Sequence, residues 1–295
     1  MVENNKVAQI ILNVILILLC LVCILPFVLL ISSSLTDETA LLQYGYSFFP
    51  RKFSLAAYTY LFNSSNAIVR GYGITIFVTV VGTTLNLAIT TLFAWALSRK
   101  DMPGRNVIAF ILFFSMLFNG GVVPSYIMWS QVFHIKNTIW ALIVPNLLMS
   151  AFYVIMMRTY FTANIPDAIV EAARIDGAGE WKILRSIVLP ISKPILATVT
   201  LLVGLQYWND WINGLYYINE DKYFSIQILL NRMLQDVQFL KSSAIGSQSG
   251  SLLATLPSVG IKMAVAVIGI LPILVIYPFV QKYLTKGITI GAVKG

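Results

Sequence analysis

Few side chains in this 295-residue sequence are of types that do chemistry, and their spacing excludes most of it. His134 is the sole histidine, so there is no His-x-x-x-His pair for a metal and no evident catalytic triad. It sits at the end of an apolar run and reads as a capping or interface residue. Gly246-Ser-Gln-Ser-Gly250 does not centre a serine as a G-x-S-x-G turn does, and reads as a loop. No G-x-x-x-x-G-K-[ST] phosphate loop occurs, and Gly287–Gly295 fails that spacing, so the chain has no ATPase of its own. Cys20 and Cys23 lie inside an apolar run without basic neighbours, which favours packing over redox work. The sequence thus offers no catalytic residue, no metal ligand set and no cofactor bound by this chain.

Two clusters remain. Tyr207-Trp208-Asn209-Asp210 joins aromatic faces to an amide and a carboxylate, a combination suited to sugar CH faces and hydroxyls. It reads equally as an aromatic belt at a membrane interface. The second is the polar stretch 165–190, which carries a short helix with both ends marked. Pro166 suits the first helical position, Asp167 complements the positive end of the dipole, and Gly177 stands where a left-handed cap is wanted. Asp167, Glu171 and Arg174 share one face, while Ala168, Ile169, Ala172 and Ile175 form another, with Ala173 between them. Small side chains on that apolar face let a second surface approach closely. Taken alone, the helix reads first as an ordinary amphipathic surface element.

The elements that hold these clusters are membrane helices. The chain is 58% hydrophobic and 11% charged, against about 25% charged in soluble domains. Runs long enough to span a bilayer predict six transmembrane helices at about 7–31, 71–98, 106–118, 137–157, 194–211 and 263–281. Asn119-Gly-Gly121 and Pro124 interrupt the third run, whose remainder to 135 is expected to re-enter or lie along the interface. The first run is too long for a signal peptide's core and lacks a cleavage site, so it is read as a retained helix. Residues 32–70 form an external loop, and the region after 211 is polar to Leu256. The expected fold is all-α and polytopic, one transmembrane domain over 1–295.

Net charge is +8, but its placement matters more. With the N-terminus inside, twelve of the twenty Lys and Arg residues fall in the shorter, inner segments, which favours N-in/C-in. The stretch 165–190, between spans four and five, is then cytoplasmic. One intramembrane carboxylate, Asp210, is thin support for a secondary transporter.

Glu171-Ala-Ala173, Gly177 and Ile187-x-Leu-Pro190 stand at the spacing of the EAA loop, and the chain resembles the permease subunits of bacterial ATP-binding-cassette (ABC) importers over essentially its whole length. Ile175-Asp-Gly-Ala, Trp208-Asn-Asp and the closing Gly287–Gly295 are similar to the carbohydrate-uptake class, in particular the smaller maltose-type subunit. Within that class, the Asn-Gly-Gly interruption and the tail resemble a branch of Gram-positive bacteria handling oligosaccharides or complex glycans. The resemblance implies a heterodimer with a second permease, two ATP-binding subunits carrying ATP and Mg²⁺, and an extracellular sugar-binding protein, all at the bacterial cell membrane with no nucleic-acid partner. It implies that Glu171, Ala172, Ala173, Asp176 and Gly177 couple the chain to the ATPase. Tyr207, Trp208, Asn209 and Asp210 are expected in or beside the sugar path. A permease for a non-sugar solute carries the same EAA pattern and is the main alternative.

Overall fold

The computed structural model describes residues 6–63, 65–243 and 258–292. Among them every regular element is helical, and a single isolated bridge joins Thr36 to Phe53. Among the described residues two helices, Gln9–Ser34 and Asn66–Ser98, are long and apolar enough to cross a membrane, or four spans if each of two bent pairs is counted as one. The chain divides into two compact units, residues 1–68 with 230–273 and residues 69–229 with 274–295.

In the first unit the charge-free run after Lys6 forms the helix Lys6–Ser34, and its apolar side chains stay exposed along nearly its whole length. Among the described residues nothing covers them, which leaves a face suited to lipid or another protein. The loop that follows holds two short helices, Glu38–Tyr44 and Ala56–Asn63. Asp37 caps the first by accepting the Thr39 N–H at 3.1 Å. The adjacent Glu38 turns inward, and its buried carboxylate accepts the N–H groups of Val259 (3.0 Å) and Gly260 (2.9 Å). These are orphan donors in the first turn of the helix Ser258–Ala292, and a carboxylate also complements that end of the dipole. That helix runs through Pro272 and Pro278 without ending.

The second unit has a continuous apolar core. It joins Ala94, Trp95 and Leu97 of the helix Ser65–Ser98 to Val154, Met157 and Phe161 of Ala151–Asn164, with Val199 and Val203 from Lys193–Trp208. Trp95 meets Phe161 edge to face at 6.4 Å.

Several expected spans differ in detail. The third stops at Leu117, and after the glycines the chain resumes as Val122–Val132, bent by 114°. The run 137–157 is not one helix. It breaks between Trp140–Ile143 and Ala151–Asn164, where Pro145 cannot donate a hydrogen bond and Asn146 has φ +62°. The fifth span begins after an 83° bend between Glu180–Ile191 and Lys193–Trp208. It ends at Trp208 rather than 211. The region after 211 holds the helices Ile212–Tyr217 and Ile226–Ser243. The stretch Gly246–Gly250 lies outside the described residues.

The break in 144–150 is knitted by side chains from three other places. Tyr207 Oη donates to the Ile143 carbonyl at 2.8 Å, Asn213 Nδ2 to that of Pro145 at 3.0 Å, and Asn86 Nδ2 to that of Leu147 at 2.6 Å. Irregular backbone away from water is tolerated where protein groups take up its freed carbonyls. Tyr207 reaches the break across Gly82, where a Cβ would stand 2.4 Å from the phenol ring. Replacing Gly82 with leucine is therefore expected to cost at least the roughly 1–3 kcal/mol typical of overpacking. Glu38→Ala, which strands the buried Gly260 donor and the part-buried Val259 donor, is expected to cost about 1–3 kcal/mol. Melting of the purified protein in detergent checks both, and an unchanged Tm for either variant contradicts its assignment.

Candidate functional site

The helix expected within 165–190 forms over Asp167–Ile175. Pro166 sits one residue earlier than expected, at the N-cap with ψ 132°, and its carbonyl accepts the Ile169 N–H at 3.2 Å. At the other end Gly177 adopts φ +78°. The Ala178 N–H then reaches the Ala173 carbonyl at 2.9 Å, and the Gly177 N–H reaches that of Arg174 at 3.0 Å. This pair of bonds is a Schellman motif, completed by apolar packing of Ala173 and Ala178 on the core.

Val170 fixes which face turns inward, since it is 1% exposed among core residues, and partly buried Ala173 follows it. Ala173 therefore serves internal packing. The opposite face is left open. Ala168, Ile169, Ala172 and Ile175 are all exposed, Ile175 at 86%, and Trp181 just beyond is 66% exposed. Glu171 and Asp176 are exposed beside them, and no hydrogen bond or ion pair engages either side chain among the described residues. A nine-residue helix that turns Val170 and Ala173 to its own core and exposes two large apolar residues, Ile169 and Ile175, is arranged to receive another surface.

Charged groups fasten the helix at both ends to the tight, basic turn that follows Ser65–Ser98. Lys100 Nζ meets Asp167 Oδ2 at 2.7 Å, and Arg174 Nη2 meets Asp101 Oδ2 at 3.0 Å. Arg174 also donates through Nε to Glu180 Oε1 at 3.0 Å. The hydrogen bond from Lys100, aided by its charge, holds the Asp167 carboxyl below the usual carboxylate range. Hydrogen bonding from Arg174 does the same for Asp101, so both stay ionised at neutral pH. The seven-residue spacing of Asp167 and Arg174 was a visible signal for a shared partner surface, although nothing in it named that surface.

The Tyr207–Asp210 cluster separates into different tasks. Tyr207 is buried and committed to the Ile143 carbonyl, and Trp208 is buried with its ring 6.4 Å from that of Tyr72. Asn209 caps the end of Lys193–Trp208 and is exposed, with Nδ2 donating to the Leu205 carbonyl at 2.9 Å. Half-buried Asp210 accepts the N–H groups of Ile212 and Asn213, both at 3.2 Å, and so starts the next helix. Of the four, Asn209 presents the most open polar group.

Known proteins share this architecture. The chain is 34% identical to the polygalacturonan/rhamnogalacturonan transport system permease protein YtcP of Bacillus subtilis (strain 168), covering 99% of this chain and 100% of that one. It is 38% identical to the protein LplC of the same organism over 93% and 90% of the two chains. Among solved structures, it matches a chain of a bacterial ABC transporter involved in import of the acidic polysaccharide alginate. That match has a TM-score of 0.78 and 28% identity over 96% of this chain and 98% of the other. Residues 102–290, which hold the exposed helix and its Schellman turn, match the family of binding-protein-dependent transport system inner membrane components, and the chain belongs to that family.

Proposed function

We propose that this chain is one half of the translocation path of an ATP-driven importer of oligosaccharides, and that its substrates contain uronic acids. The observation that carries the transport reading is the open face of Asp167–Ile175, a short helix held rigidly to the core while its apolar residues wait for a partner. The sugar reading is supported by relatives named for polygalacturonan and rhamnogalacturonan and by the alginate importer. The chain crosses the bacterial cell membrane six times with both ends inside, and Asp167–Ile175 faces the cytoplasm. A second permease completes the path, an extracellular binding protein delivers the sugar, and two ATP-binding subunits hydrolyse ATP.

In this reading the exposed helix is the coupling helix. Ala172 permits close seating, Ile169 and Ile175 fill apolar depressions, and Glu171 and Asp176 meet basic groups of the ATPase. Gly177 keeps the helix end turned back toward Glu180–Ile191 and so toward the membrane. Closure of the ATP-binding subunits displaces the helix as a rigid body, and the attached spans exchange outward for inward access. The bent and broken helices of the second unit supply the places where such a change can be absorbed.

Uptake of oligogalacturonate by cells lacking the chain, complemented with variants, tests the reading. Wild type is expected to restore uptake. A Cβ at Gly177 meets nothing within 4 Å, so a substitution there acts through backbone strain alone, at roughly 1–2 kcal/mol. Gly177→Val is expected to lose uptake while still inserting, whereas Gly177→Asn, which tolerates positive φ, keeps most of it. Equal uptake by the two variants contradicts the role given to this turn. Asn209→Ala is expected to raise the apparent KM for the oligosaccharide with little change in protein level. An unchanged KM for every sugar tried removes Asn209 from the path.

A further inference from the structure

We propose that Arg174 is a positioning residue that makes the coupling helix and the turn Arg99–Asp101 move as one body. Through it, displacement of the helix reaches the two helices that the turn joins, Ser65–Ser98 and Arg105–Leu117. The proposal rests on the coupling reading above and adds a route to it.

The covalent chain alone delivers motion elsewhere. Ahead of the helix, Ile165 and Pro166 lead to Ala151–Asn164, and behind it Gly177-Ala-Gly179 leads to Glu180–Ile191. The turn is 67 residues away from Asp167 in sequence, and charged side chains reach across to it. Arg174 spans three segments at once, since it lies on the coupling helix and holds Asp101 of the turn and Glu180 of the following helix. From Asp101 the contacts continue inward. Arg99 Nε lies 3.4 Å from Asp101 Oδ1, and the Arg99 guanidinium sits 5.3 Å over the ring of buried Trp95, on Ser65–Ser98. Arg105, the first residue of Arg105–Leu117, donates to the Arg99 carbonyl at 3.4 Å.

Core packing through Ala151–Asn164 joins the same helices indirectly, but between the coupling helix and the turn itself packing is interrupted. Beneath the N-terminal half of the coupling helix lies a cavity of about 200 Å³, lined by Trp95, Arg99, Phe161, Pro166, Asp167 and Val170. Val170 is the helix's one fully buried side chain, so a push on the exposed face can rock the helix about it unless the ends are tied. A guanidinium suits the junction because its fork reaches two carboxylates on different segments, which a lysine's point charge does less well. The pairs are exposed and so add little to folding stability. Their removal is therefore a clean test of transmission.

The complete importer, with partner permease, ATP-binding subunits and binding protein, is reconstituted in proteoliposomes. Oligogalacturonate taken up per ATP hydrolysed is then measured with the Tm and the yield of co-purified ATPase. Arg174→Ala is expected to keep Tm and ATPase yield while uptake per ATP falls roughly fivefold or more. Asp101→Asn, off the coupling helix, is expected to reproduce the loss, and Arg174→Lys to recover part of it. Joining Asp101→Cys to Arg174→Cys with a short bifunctional thiol reagent, in a chain lacking Cys20 and Cys23, is expected to restore coupling. Normal uptake per ATP in Arg174→Ala and Asp101→Asn overturns the proposal, as does loss of ATPase co-purification in Arg174→Ala, which makes Arg174 an intersubunit contact. Failure of the wild-type chain to hold the ATPase overturns the coupling reading beneath it.

Discussion

A backbone carbonyl or N–H that leaves water must find a partner, and the structure is arranged around places where the helical ladder cannot supply one. Long apolar runs satisfy the requirement by remaining helical, as Lys6–Ser34 and Ser65–Ser98 do. Where Pro145 and Asn146 stop the ladder, Asn86, Tyr207 and Asn213 supply donors to three carbonyls spaced two residues apart. Where Ser258–Ala292 begins, Glu38 supplies the acceptor. Gly82 belongs to the same solution, because Tyr207 reaches its carbonyl only across a residue without a side chain. These polar ties fix the breaks in place.

The helix Asp167–Ile175 follows the same rule on a smaller scale. Nine residues are too few to hold a helix in water by propensity. Its C-terminal carbonyls are closed by the Schellman turn, its dipole is matched by Asp167 and Arg174, and Val170 is seated in the core. With both ends and the inner face committed, only the outer face is free to bind.

What the sequence revealed and what it hid divide by range. Gly177 was legible because a left-handed residue after a helix is a local requirement that one residue type meets. The apolar face Ala168, Ile169, Ala172 and Ile175 was legible from periodicity. The inward direction of Val170 was not, since periodicity places residues on faces without saying which face meets the core. Tyr207 read as a sugar contact because its commitment lies in a carbonyl 64 residues away and a glycine on another helix. The break within 137–157 is marked by Pro145-Asn146 but masked by a run free of charge. The helix Ile226–Ser243 was missed because Asn231, Arg232, Gln235 and Asp236 made the segment read as loop. Ion pairs across 67 residues leave no mark in spacing alone.

The central claim, that the open face of Asp167–Ile175 is a cytoplasmic seat for the ATP-binding subunit, is tested most directly at Ile175, the most exposed residue on it. In a chain freed of Cys20 and Cys23, Ile175→Cys is labelled with a membrane-impermeant maleimide in inside-out vesicles, with and without the ATP-binding subunits. The account predicts rapid labelling of the permease alone and strong protection in the assembled importer. Equal labelling in both, or labelling only from the outer side of right-side-out cells, contradicts it.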